Sequence, residues 1–163
     1  MSKAWMCLMI AVTSLVMVPG CGRKSADARK YNNDLAAITR ELDGLAKSRE
    51  NDITNNASDV PKLKEIHADL VVKADAIFKR GRALNAPDST EALALQYAFL
   101  RYLDVEEDII RNGLAKMIEL VASQDRAGLQ PLLEGMQKRE RESLDAFKKA
   151  QEDLAKANNA KMQ

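Results

Sequence analysis

Apolar residues step by three and four through four successive stretches of this chain, and no stretch alternates with a period of two. Such spacing commits a chain to amphipathic helices packed against one another. The first stretch, about 25–49, places Ala28, Tyr31, Leu35, Ile38, Leu42 and Leu45 on one face. The second begins near Asp59-Val60-Pro61, with Asp59 placed to cap and Pro61 tolerated in the first turn. Its stripe is Leu63, Ile66, Leu70, Ala74, Ile77, Gly81 and Leu84. The third opens with Asp88 and Glu91 at capping-box spacing and runs to about Ala122 through Leu100, Leu103, Glu107, Ile110, Leu114, Met117 and Val121. The fourth reads Leu129, Leu133, Met136, Glu140, Ser143, Phe147, Ala150, Leu154 and Ala157. Pro131 in its second turn predicts a kink or a delayed start.

The breaks are short. Asn, Asp and Ser crowd residues 51–59 and predict a loop; Asn85-Ala86-Pro87 and Ser123-Gln124-Asp125 end the second and third stretches. Short connections make successive helices antiparallel neighbours, so the expected fold is all-α, an up-down-up-down four-helix bundle. The alternative is a three-helix bundle with a loose first helix. A chain with 4% aromatic and 30% charged residues has a composition that suits either.

The first twenty residues do not belong to this bundle. Lys3 precedes an apolar run from Ala4 to Val18, the pattern of a secretory signal peptide. The run falls short of the roughly 20 residues that a spanning helix needs. It ends in Val18-Pro19-Gly20-Cys21, which resembles the lipobox of bacterial lipoproteins: an aliphatic residue at −3, a small one at −1, then the cysteine. The resemblance covers about the first 21 residues. It implies cleavage before Cys21, diacylation of its thiol with palmitate-like chains and acylation of the new amine. The expected organisation is therefore a signal peptide at 1–20, a lipidated cysteine and tether at 21–25, and a helical bundle domain at 26–160. Two acyl chains anchor stably where one is marginal. By the same resemblance, Gly22 in place of Asp implies, in a Gram-negative cell envelope, an outer-membrane lipoprotein facing the periplasm; a monoderm host would change the compartment but not the anchoring. Gly22 to Ser25 span roughly 13 Å at most, which keeps the bundle near the bilayer and Arg23 and Lys24 among the headgroups.

Cleavage would also remove Cys7 and leave no thiol beyond the lipidated one, hence no disulfide and no cysteine metal ligand. It removes one charge, Lys3, leaving 24 basic residues against 24 acidic. That balance argues against a nucleic-acid partner, which calls for a basic excess. With a single histidine and no Ser-His-Asp arrangement, the mature chain shows no catalytic candidate and implies no cofactor. The expected role is non-enzymatic, an interaction or structural component with the membrane and an envelope protein as partners. The alternative is a periplasmic bundle that binds a metal or small ligand.

Antiparallel counting supplies a candidate site for that alternative. A turn centred near 123–124 sets Glu107 level with Glu140, and a turn near 87 sets Glu107 level with His67. Histidine with carboxylates suits several divalent ions, although the Glu-x-x-His pattern of ferritin-like di-iron proteins is absent. The plainer reading is a polar layer at the seam, with Glu107 paired to Arg111 one turn on. No metal ligand set is assigned, and Met117, Met136 and the other thioethers read as core fillers.

Counting also predicts that the second helix stops short of the third. Residues about 115–132 then continue alone as a hairpin tip carrying Met117, Ile118, Leu120, Val121, Leu129 and Leu132. The tip would point away from the membrane and offer a docking surface. Otherwise these residues bury each other, with Ile53 of the preceding loop folded over them.

Overall fold

Helix α1 (Arg23–Asn55) leads into α2 (Val60–Arg82), α3 (Thr90–Asp108), α4 (Leu114–Ala122) and α5 (Arg126–Ala160). A π-helical turn, Ile109–Gly113, joins α3 to α4 without interruption, so the described residues make four helical rods. The computed structural model describes residues 23–160, with side chains from 26 to 158. The expected signal segment, Cys21 and Gly22 lie outside the described residues. No strand occurs among the described residues, and none of their helices is long and apolar enough to cross a membrane.

The stripes are buried as their spacing requires. Leu35, Leu63, Leu95, Leu103 and Leu154 are almost fully enclosed, and Phe147 packs against Phe99 and Tyr102 with ring centroids 5.3 and 5.9 Å apart. Helix α1 packs on α2, α2 on α3 and α4, and these on α5; the seam between α5 and α1 is more open. A hydrogen bond from Gln151 Nε2 to Asn32 Oδ1, 3.1 Å, crosses that seam. Tyr31, Leu35, Ile38 and Leu42 anchor α1 in the core, which leaves no role for a loose first helix.

Three local expectations are corrected. The helix begins at Arg23, inside the expected tether at 21–25. It also runs on to Asn55 through residues whose composition reads as a loop. Burial of Ile53 supplies the reason: it prolongs the stripe beyond Leu42 and Leu45, and that outweighs the low helix propensity of the surrounding Asn and Asp. Ser89 rather than Asp88 caps α3, its extended backbone letting Oγ accept from Ala92 N at 3.1 Å. Pro131 falls in the second turn of α5, as expected, and does not delay the start at Arg126. Asp59 caps α2 as expected, accepting from Lys62 N at 3.0 Å.

The register between α2 and α3 differs from the expected one, with consequences for the site. The connection after Arg82 is no tight turn; Ala83–Ser89 folds along the side of α3, where Gln96 Nε2 holds the Leu84 carbonyl at 2.9 Å. This slides α2 along its neighbour, so that Gly81 lies against Leu103 rather than near Leu93. Helix α2 therefore packs along α4, and the α4–α5 tip does not continue alone. At the other end α3 outruns α2, which leaves Leu93 and Tyr97 exposed. At the tip Asp125 N donates to Leu120 O and Gln124 N to Val121 O, a Schellman closure with Gln124 at φ 58°.

Candidate functional site

The more open seam holds a cavity of about 120 Å³. One face of α1 lines it through Asp43, Ala46, Glu50 and Ile53, residues that step by three and four. Tyr102, Glu106 and Ile109 do the same from α3 and the π turn; Leu133, Met136 and Glu140 come from α5. Leu114 and Met117 close the side toward the tip, while Leu42, Lys47, Arg49 and Gln137 complete the wall. The π turn carries Ile109 and ends beside the cavity, as such turns often do at functional sites.

Glu106 is the unusual member. It is 6% exposed, and its Oε1 has no hydrogen-bond partner. Burial pushes its carboxyl up to about 8, helped by the charge of Glu140 and opposed by Arg49. Burial raises Glu140 too, with Arg49 again opposing and Asp43 adding to the rise. Asp43 is raised by burial against the pull of Lys47 and Lys148. The Tyr102 phenol is driven well above its usual range by burial and by Glu106. The arrangement is thus a proton-holding acidic group facing an apolar wall. It can receive a positive charge or a hydrogen-bond donor.

Of the polar layer expected from sequence, His67, Glu107 and Glu140, only Glu140 lines this cavity; of the expected tip, Met117 does. His67 Nε2 lies 2.7 Å from the Ile110 carbonyl. A carbonyl only accepts, so Nε2 carries the proton and is not free to hold a metal. The π turn helps to present that carbonyl, because Leu114 N bonds Ile109 O in place of Ile110 O. Glu107 faces α2 and is gripped by Arg82 at 2.6 Å and Arg111 at 2.9 Å. Partial burial pushes its carboxyl up, but hydrogen bonds from Arg111 and Arg82 outweigh this and hold it below the ordinary range. Arg111 also pairs with Asp75, and Arg82 with Asp104 at 2.7 Å. The structure therefore does not bring His67, Glu107 and Glu140 together. Among the described residues, no three His, Cys, Asp or Glu side chains are placed to hold a metal ion.

At the expected docking tip, Met117 and Ile118 are buried in the core. Leu120 is half-buried, and Val121, Leu129 and Leu132 are partly buried against the core cluster. Most of that apolar surface is packing rather than an open face, because α2 runs beside it.

Counting missed Glu106 by one residue, which is about 100° around a helix. Asp43 and Arg49 were hidden among the ordinary charges of α1. A second stripe, Phe99, Tyr102, Glu106 and Ile109, carried the signal: an acid at an aromatic-lined core spacing. No known protein family matches this chain, and no curated protein or solved structure matches it either.

Proposed function

We propose that this chain is a lipid-anchored envelope protein whose up-down-up-down bundle acts as a non-enzymatic binding module for a small ligand. Glu106 carries the binding half of this reading. A buried carboxyl with an unpartnered oxygen, facing a cavity in the more open seam, is costly unless something visits it. The burial of Met117 and Ile118 weighs against the other reading, a docking tip for an envelope protein.

The anchoring half rests on the resemblance of Val18–Cys21 to a lipobox, and one structural feature supports it. Helix α1 begins two residues after Cys21, at the end of the bundle where α3 also starts. Exposed Leu93 and Tyr97 lie toward this end, 52% and 72% accessible. An exposed tyrosine and leucine suit the headgroup boundary of a bilayer. The membrane expected from Gly22 is the outer one, with the bundle in the periplasm.

Labelling cells with radioactive palmitate tests the anchor. The wild-type protein should take up label and fractionate with the envelope, and Cys21→Ser should lose both the label and the processing. An unlabelled wild type, or a labelled Cys21→Ser variant, would overturn the anchor.

A further inference from the structure

We propose that the cavity between Asp43, Glu106 and Glu140 receives a small primary alkylammonium ion, its ammonium between Glu106 and Glu140 and its chain against Leu114, Met117, Leu133 and Met136. This names the ligand class of the binding module and rests on that reading, but not on the lipid anchor.

Charge gives the sign. The cavity wall contains four acidic groups, Asp43, Glu50, Glu106 and Glu140, against two cations, Lys47 and Arg49, and an ammonium at Glu106 draws it to its ionised form. Lys47 is exposed and Arg49 half-buried, whereas Glu106 is enclosed. Oε1 of Glu106 is an acceptor without a donor. A primary ammonium supplies three donors on one small charge, enough for Glu106 and Glu140 together. A quaternary ammonium would bring charge and no donor.

Shape and chemistry of the remaining wall give the body of the ligand. Ile53, Leu114, Met117, Leu133 and Met136 offer aliphatic and thioether surface, which favours a short hydrocarbon chain over a second charged group. A void of about 120 Å³ admits a molecule somewhat smaller than the benzene that a 150 Å³ apolar cavity holds, so roughly four to six heavy atoms. A bare metal ion fits less well, since no three of the acidic groups among the described residues are placed to hold one.

The site also predicts how binding responds to pH. The groups facing it are Asp43, Lys47, Arg49 and Glu50 from α1, Tyr102 and Glu106 from α3, and Glu140 from α5, with Lys148 acting on Asp43. An ammonium stabilises the ionised form of Glu106, so its arrival displaces the proton that burial otherwise keeps there. Affinity should rise between pH 6.5 and 8.5 while the ligand stays charged.

The test is calorimetric titration of the full-length protein, purified in detergent from the cells that make it. The probes are n-butylammonium, 1-butanol and butyrate. The expected result is one saturable site for butylammonium, at least tenfold tighter than either isostere and tighter at pH 8.5 than at pH 6.5. Glu106→Gln and, separately, Glu140→Gln should weaken it at least tenfold, with folding checked by circular dichroism. Arg49→Met, which removes a competing cation, should strengthen it; Leu93→Ala, outside the cavity, should leave it unchanged. Butanol or butyrate binding as well as butylammonium would refute the ligand class and leave the cavity a binding site. Binding of none of the three to the folded wild type would remove the binding reading itself.

Discussion

Glu106 of α3 and Glu140 of α5 line one cavity, and the charge of Glu140 drives Glu106 further toward its neutral form than burial alone does. The pair therefore stores a dependence of stability on pH. Folding raises the Glu106 pKa from 4.5 to about 8, so the folded state holds this proton more tightly than the unfolded state. The contribution is fully present below about pH 4.5 and is lost as pH rises through 8. Asp43 and Glu140 are raised and act in the same direction. Glu107 and Asp108 are depressed and act oppositely, but only as pH falls below the ordinary carboxylate range.

Urea denaturation between pH 5 and 8 should accordingly show stability falling by about 2–4 kcal/mol as pH rises. Glu106→Gln has no proton to lose and should flatten most of that slope. At pH 8 the variant should be more stable than wild type by about 1–3 kcal/mol. Parallel profiles for the two proteins would show that Glu106 does not carry the dependence.

His67 should carry a proton on Nε2, donated to the carbonyl of Ile110. Nitrogen-15 NMR of labelled histidine distinguishes the two tautomers, and the Nδ1–H form would contradict the arrangement. Replacing His67 by Ala removes the donor and should cost about 1–2 kcal/mol in a denaturant titration.

Gly81 and Gly135 should respond to alanine with opposite signs. A Cβ at Gly81 would meet Leu103 Cδ1 at 2.8 Å, Ile38 Cγ2 at 3.3 Å and Phe99 Cε1 at 3.4 Å, where three helices converge. Alanine there gains about 1 kcal/mol of helix propensity but overpacks the contact, and a net loss of about 1–2 kcal/mol is expected. A Cβ at Gly135 meets nothing within 4 Å. Gly135→Ala should therefore raise stability by about 0.5–1 kcal/mol, and thermal unfolding of the two variants settles the sign at each position.

The apolar stripes were legible because burial enforces them: Tyr31, Leu35, Leu63, Leu70, Leu103 and Leu154 are all core. Ile53 was misplaced because composition describes a segment while burial acts on one residue. The α2–α3 register was lost in Ala83–Ser89, where a loop packed along a helix and a tight turn share the same Asn-Ala-Pro signal. That slip misjudged the tip, since it determined whether α2 covers α4. The site was lost to angle rather than height. Glu107 was counted opposite Glu140 at about the right level, yet the adjacent residue Glu106 faces inward and Glu107 faces Arg82 and Arg111. The π turn at Ile109–Gly113 leaves no compositional mark, because an inserted residue changes the phase of a stripe and not its content.

Gln124 offers the last test, at the hairpin tip. It is the left-handed residue of the α4 terminus, φ 58°, with no glycine to relieve its Cβ. The hydrogen bonds Asp125 N to Leu120 O and Gln124 N to Val121 O, 2.9 and 3.1 Å, hold it there. Asp125 then caps the next helix by accepting from Gly128 N at 2.9 Å, so the chain reverses within three residues. The left-handed conformation costs a side-chain-bearing residue about 1–2 kcal/mol, and glycine is the usual occupant. Against this stands the greater backbone entropy that glycine loses on folding, about 0.5–1 kcal/mol. The left-handed term is the larger, so Gln124→Gly should stabilise the protein by about 0.5–1 kcal/mol in denaturant titration. Gln124→Val, β-branched at the same φ, should destabilise it. If glycine proves neutral and valine harmless, the turn is not held in the left-handed conformation, and the closure between α4 and α5 must be formed in another way.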